Sequence, residues 1–269
     1  MVSLHAMRAL LAALLLAFAI TPCRATQVTE RVEFPTLDPA FKGNLEATIY
    51  RPAGDKRYPA MVLLHGCFGI GRSTISWAKW FADNGYEAIV VDSLGPRHVE
   101  SVCDGGYPSE QRRALDAYAT LAFLQKRPEV DADRIGMIGW SHGGAAVLAA
   151  DDAALAKQIP GKKFEAAIAL YPDCEAMPSS GVSAPLLIFT GGRDDLTPPT
   201  LCSEGVKRLE RAGEPVSEHR YAYATHAFDS AVDAGLVNVE GRLYNFKYSG
   251  AAASDARARI VAFLKDTMR

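Results

Sequence analysis

Apolar and polar positions alternate over residues 27–36 and again over 45–51, which predicts an antiparallel pair of strands at a sheet edge with one face exposed. Pro52-Ala53-Gly54-Asp55 predicts a turn. Beyond it the pattern changes. Ala60–Leu64, Ala88–Val91, Ile135–Ile138, Phe164–Tyr171 and Ala184–Thr190 are short continuous apolar runs, as expected of strands covered on both faces, and Glu218–Tyr223 reads as the last strand. Helices are predicted between them. Ser76–Asn84 carries Trp77, Trp80 and Phe81 at helical spacing and ends at Gly85. Ser109–Lys126 carries Leu115, Tyr118, Leu121 and Ala122 on one face and is stopped by Arg127-Pro128. Further helices are expected from just after Ser141 to about Lys157, over Pro199–Ala212, and over Ala251–Lys265. Strands alternating with helices predict right-handed βαβ units, hence an α/β fold with a mostly parallel central sheet of about eight strands and helices on both faces. No repeat, low-complexity tract or linker interrupts residues 26–269, which read as one domain.

Composition changes this picture only at the start of the chain. At 49% hydrophobic and 22% charged, the 269 residues are ordinary for a globular protein, and a formal charge of −2 without a basic run argues against a nucleic-acid partner. Residues 1–25 differ. Arg8 is followed by the apolar run Ala9–Ile20, and Cys23 and Ala25 supply small residues at the −3 and −1 positions of a cleavage site after Ala25. This predicts a signal peptide, too short for a comfortable span, and an exported protein, periplasmic or secreted, without stable membrane association once the leader is removed. An uncleaved anchor, or acylation of Cys23 despite the adjacent Pro22, is the alternative. Removal of the leader takes away Arg8 and Arg24 and no acid, moving the formal charge from −2 to −4.

The chemistry centres on Gly139-Trp140-Ser141-His142-Gly143-Gly144, a G-x-S-x-G sequence between a predicted strand and a predicted helix. A serine on so sharp a turn needs neighbours without bulk, and the helix behind it offers free N–H groups to a developing oxyanion. It also needs a base, and the base an orienting acid, in the chain order serine, acid, histidine. Asp194, with Asp195 as the fallback, follows the strand ending at Thr190. His226 follows the last strand on a loop. The other histidines fit less well: His5 lies in the leader, His98 precedes the serine, His219 falls within a strand pattern, and His142 is part of the turn itself. Two backbone donors are expected for the oxyanion, the N–H of His142 and that of Cys67 in the loop after His65-Gly66.

Together these segments resemble the α/β-hydrolase fold and, more narrowly, the dienelactone hydrolase family. The resemblance covers most of residues 45–265. It rests on His65-Gly66-Cys67-Phe68-Gly69, Asp92-Ser93-Leu94-Gly95-Pro96-Arg97, the Ser141 turn, Gly192-Arg193-Asp194-Asp195-Leu196-Thr197-Pro198 and Thr225-His226-Ala227-Phe228-Asp229. It implies an enzyme acting on ester or lactone bonds. Two positions depart from the family: Ser141 stands where dienelactone hydrolases proper have a cysteine, and Gly66 where they have a glutamate. The pair implies an ordinary serine-esterase mechanism with an acyl-enzyme. No metal or organic cofactor is implied.

The connection where lids of this fold sit, Pro172–Ser183, is short, so a small open pocket without a large cap domain is expected. Phe68, Trp140 and Tyr171 are candidates to line it, with core packing as the alternative. Arg97 either meets a substrate carboxylate or serves as an ion-pair partner inside the fold. Once Cys23 leaves with the leader, four cysteines remain in an oxidising compartment, and adjacent strand ends favour Cys67–Cys103 and Cys174–Cys202 as disulfides over four free thiols. The expected protein is thus a serine hydrolase for small soluble carboxylic esters or lactones, a monomer or small homo-oligomer. A serine peptidase of short peptides and a non-catalytic binding protein on the same scaffold are the alternatives. The aromatic stretch Tyr244–Ser249 has no assigned role.

Overall fold

The computed structural model describes residues 28–159, 161 and 163–269. The expected leader, residues 1–25, and Cys23 lie outside the described residues.

β1 (Val28–Pro35) and β2 (Asn44–Arg51) pair antiparallel at one edge of an eight-stranded sheet, and β2 continues antiparallel against β4 (Glu87–Asp92). β3 (Tyr58–Leu64), β5 (Val130–Trp140), β6 (Ala166–Leu170), β7 (Leu186–Gly191) and β8 (Val216–Tyr221) complete it, in the order β1-β2-β4-β3-β5-β6-β7-β8. From β4 to β8 neighbouring strands are parallel. The connections are α1 (Arg72–Asp83), α2 (Glu110–Leu124), α3 (His142–Asp151), α4 (Ala153–Lys157), α5 (Thr200–Arg211) and, closing the chain, α6 (Gly250–Thr267). The apolar runs are explained by burial on both sides. Ala60, Val62 and Leu64 of β3 join a core with α2, α3 and α5, while Met61 and Leu63 join a second core with α1 and α6. Each fully buried Leu, Ile or Phe contributes about 1.5–3 kcal/mol to folding.

The strand order places the chemistry. β3 leads to β4 on one side, and α2 then carries the chain back across β3 to β5 on the other. At such a reversal two neighbouring loops part and leave a crevice at the carboxyl ends of the strands. Here those loops are the one after β3, which begins at His65, and the turn at Ser141.

Three local expectations need correction. The helix expected to run to Lys157 is broken: Asp151 ends α3, Asp152 is extended (φ −62°, ψ 123°), and its carboxylate caps α4 by accepting from the Ala154 amide. The buried face of α2 includes the charged residues Arg113 and Asp116, whereas Leu115 and Ala122 are only half-buried. β8 is not the last strand. A separate hairpin, β9 (Gly235–Val239) and β10 (Arg242–Phe246), follows it and absorbs the start of the unassigned aromatic stretch. Its two-residue turn, Glu240-Gly241, has positive φ at both positions (52° and 79°). Asn-Gly or Asp-Gly would have signalled such a turn; glutamate does not.

Both expected disulfides are present: Cys67–Cys103 and Cys174–Cys202. No helix of the described residues is long and apolar enough to cross a membrane.

Candidate active site

Ser141 sits at φ 53°, ψ −122°, a conformation that costs a non-glycine residue about 1–3 kcal/mol. Its surroundings hold it there. The Ser141 amide donates to the Leu170 carbonyl (3.0 Å), and its carbonyl accepts from Ala145 (2.9 Å). The glycines beside it are required by contact. A Cβ on Gly139 would strike the Gly143 carbonyl, and a Cβ on Gly143 would strike the carbonyls of Leu64 and His65.

His226 Nε2 lies 2.9 Å from Ser141 Oγ, and His226 Nδ1 lies 2.8 Å from Asp194 Oδ2. A carboxylate only accepts, so the proton sits on Nδ1, and the Nε2 lone pair faces the serine hydroxyl. Asp194 is buried and Asp195 exposed, so the structure brings Asp194 and not Asp195 to the histidine. The Asp194 carboxylate is fixed by the amides of Leu196 (3.0 Å) and Thr197 (2.9 Å). The Thr197 hydroxyl stands 2.9 Å from Asp194 Oδ2 and 3.1 Å from the Tyr171 carbonyl, both acceptors. Sequence reasoning assigned Thr197 no part in this, although it stands in the same segment as Asp194. The His226 ring packs edge-on against Tyr171 (4.6 Å between centroids) and beside Phe246 (5.0 Å). Tyr171 is itself anchored: its hydroxyl and the Trp77 indole N–H donate to the two carboxylate oxygens of buried Asp229 (2.8 and 2.7 Å). Burial raises the Asp229 carboxyl above the ordinary range, and the two donors counter part of that.

Cys67 lines the same pocket as Ser141, and His142 follows it directly in the chain. His142 is the first residue of α3, so its amide has no partner within the helix. Cys67 is held by its disulfide and by its carbonyl, which accepts from the Val102 amide (3.0 Å). Gly66 brings this loop against the turn: a Cβ there would stand 3.9 Å from the Ser141 Cβ.

Ser141 and His226 open onto a pocket of about 390 Å³, lined among others by Phe68, Trp140, Tyr171, Leu196, Val237 and Phe246. Among its described lining residues Asp233 is the one carboxylate, and there is no lysine or arginine. Three of the four expected lining residues are therefore in place. Arg97 is not. It lies buried away from the pocket, bonded to both oxygens of Asp116 (2.8 and 3.0 Å) and to the Ser93 carbonyl (2.8 Å), 3.4 Å from Asp38 and over the Phe41 ring. Of its two readings, the structure matches the internal ion pair. The far wall comes from the hairpin and the segment before it: Val232, Asp233 and Val237 precede the turn, and Phe246 follows it.

Comparison with known proteins agrees with this architecture. The family model described as the dienelactone hydrolase family matches residues 45–268. A Bradyrhizobium sp. protein named "Probable 2-oxo-3-(5-oxofuran-2-ylidene)propanoate lactonase" is 25% identical over 215 residues, covering 74% of this chain and 86% of that one. Among solved structures, a dienelactone hydrolase-like promiscuous phosphotriesterase from metagenomic libraries has a TM-score of 0.70 at 19% identity, covering 90% of this chain and 99% of its own. Thermogutta terrifontis esterase 2, phosphorylated by paraoxon, has a TM-score of 0.62 at 19% identity, covering 87% and 91%. The two structures bear on the fold and the family match on the lineage: this chain belongs to the dienelactone hydrolase family.

Proposed function

We propose that the protein is an exported serine esterase that hydrolyses small, uncharged carboxylic esters or lactones through an acyl-enzyme on Ser141. The observation that carries this is the continuous line Ser141 Oγ–His226–Asp194 at the mouth of a small apolar pocket. His226 Nε2 takes the hydroxyl proton as Ser141 Oγ attacks the ester carbonyl. Asp194 holds the tautomer and stabilises the imidazolium. The amides of Cys67 and His142 receive the tetrahedral oxyanion. His226 returns the proton to the departing alcohol and then activates water against the acyl-enzyme. The absence of lysine and arginine from the described lining, with Asp233 on it, supports uncharged acyl and alcohol groups over carboxylate-bearing ones. The two disulfides support a place outside the cytoplasm.

The test is hydrolysis of p-nitrophenyl esters, acetate to decanoate, by the wild type and Ser141→Ala. Short chains should be preferred, and the variant should lose about 10⁶-fold in kcat. Equal activity in both proteins would overturn the reading.

A further inference from the structure

Arg113 lies on α2, the crossover that returns the chain to β5, and is among the largest fully buried side chains. A guanidinium at that depth is retained where acceptors meet it. Its contacts fall on two residues, His65 and His142, one in each half of the proposed oxyanion hole. Nη2 donates to the His65 carbonyl at 2.6 Å, two residues before Cys67 on the loop after β3. Nη1 donates to Nδ1 of His142 at 2.8 Å. Guanidinium nitrogens only donate, so the His142 ring accepts at Nδ1 and carries its proton on Nε2, which stands 3.2 Å from Glu110 Oε1. Burial, reinforced by the Arg113 charge, pushes His142 down to about 3, so this neutral form persists around neutral pH.

The ion is unusual in what it lacks. Among the described residues no carboxylate is in direct contact with Arg113, although the charges of Asp116, Glu110 and Asp92 act on it from further off, and its Nε has no hydrogen-bond partner. Burial lowers it to about 10, which still leaves it charged at neutral pH. A buried cation without a directly paired anion costs stability, and a hydrophobic side chain would satisfy packing alone.

We propose that Arg113 is a positioning residue for ester hydrolysis. Its fork fixes the spacing between the Cys67 and His142 amides and sets a permanent positive charge behind them. This rests on the serine-esterase reading above. The two amides gain most when the carbonyl oxygen becomes an anion, so a loosened pair should lower kcat and leave substrate binding nearly alone.

The experiment measures kcat and KM on p-nitrophenyl acetate for the wild type, Arg113→Met, Arg113→Lys and His142→Leu, with circular dichroism to confirm folding. Arg113→Met should lower kcat about 10- to 100-fold with KM within about threefold. Arg113→Lys should recover part of that loss, because it restores the charge without the fork. His142→Leu, which cuts the tie at the serine turn and leaves Arg113 in place, should also lower kcat at near-constant KM. A folded Arg113→Met variant with wild-type kcat, or a loss confined to KM, would overturn the proposal. Should Arg113→Met fail to fold, an unchanged kcat in His142→Leu would overturn it alone. A wild type inert towards both the ester and a fluorophosphonate would instead overturn the serine-esterase reading.

Discussion

Asp194 and Asp195 are adjacent in sequence and opposite in circumstance. Asp194 is buried under two backbone amides, the Thr197 hydroxyl and His226, whereas Asp195 faces solvent. Asp194→Asn should therefore lower kcat by about 10⁴-fold with the fold intact, because an amide can donate to Nδ1 and favour the wrong tautomer. Asp195→Asn should leave kcat unchanged. Steady-state kinetics on both variants checks the pair, and equal effects would contradict the assignment. At this scale Ser141 and His226 were legible in the sequence because each follows a strand in a distinctive segment. Arg113 was not, and for Arg97 the internal ion pair was one of two readings whose partners the sequence did not name. Arg97 stands in a family-like segment, but its destination is fixed by Asp116 and Asp38, distant in sequence. Arg113 looks like one more solvent-facing charge on a helix until α2 is packed beneath β3.

The hairpin β9–β10 is the element that sequence reading missed, for two reasons: its turn lacks the usual residues, and its outer face leaves Leu236 and Leu243 exposed, blurring the period-two pattern. It nevertheless forms the far wall of the pocket. Val237→Ala should move the preferred acyl chain to a longer one, read as kcat/KM across the p-nitrophenyl ester series, and an unmoved optimum would argue that the hairpin does not limit the acyl group. At the opposite end of the sheet, β4 begins with fully buried Glu87, neither of whose carboxylate oxygens has a hydrogen-bond partner among the described residues. Arg127 Nε is 3.7 Å away, while the Nη atoms of the same guanidinium engage Glu30 and Glu129. Burial pushes Glu87 up to about 7 from an ordinary 4.5, with Arg127 opposing. Between those values the unfolded chain releases a proton that the folded protein keeps, so this residue costs increasing stability as pH rises from 4.5 to about 7, and no more above. Glu87→Gln should raise Tm relative to the wild type more at pH 8 than at pH 4.5 on thermal melts. An equal difference at both values would contradict the assignment.

The whole molecule places its covalent ties where its chemistry is. Both disulfides lie at the carboxyl ends of the parallel strands, one holding the loop that carries Cys67 to the segment after β4, the other joining the start of α5 to the loop after β6. Their separations of 36 and 28 residues correspond to about 4 kcal/mol each in a chain-entropy account. The sheet, its edge pair and these pairings were legible because strand ends and apolar runs are local signals. The pocket wall, buried Arg113 and buried Glu87 were not, because they depend on which distant segments meet. All of this converges on Ser141 as a nucleophile. The most direct measurement is intact-mass and peptide mapping after reaction with a fluorophosphonate, on the wild type and Ser141→Ala. One adduct on the peptide carrying Ser141, absent from the variant, is the predicted result. A folded wild type that takes no label, or takes it on another residue, would contradict the account.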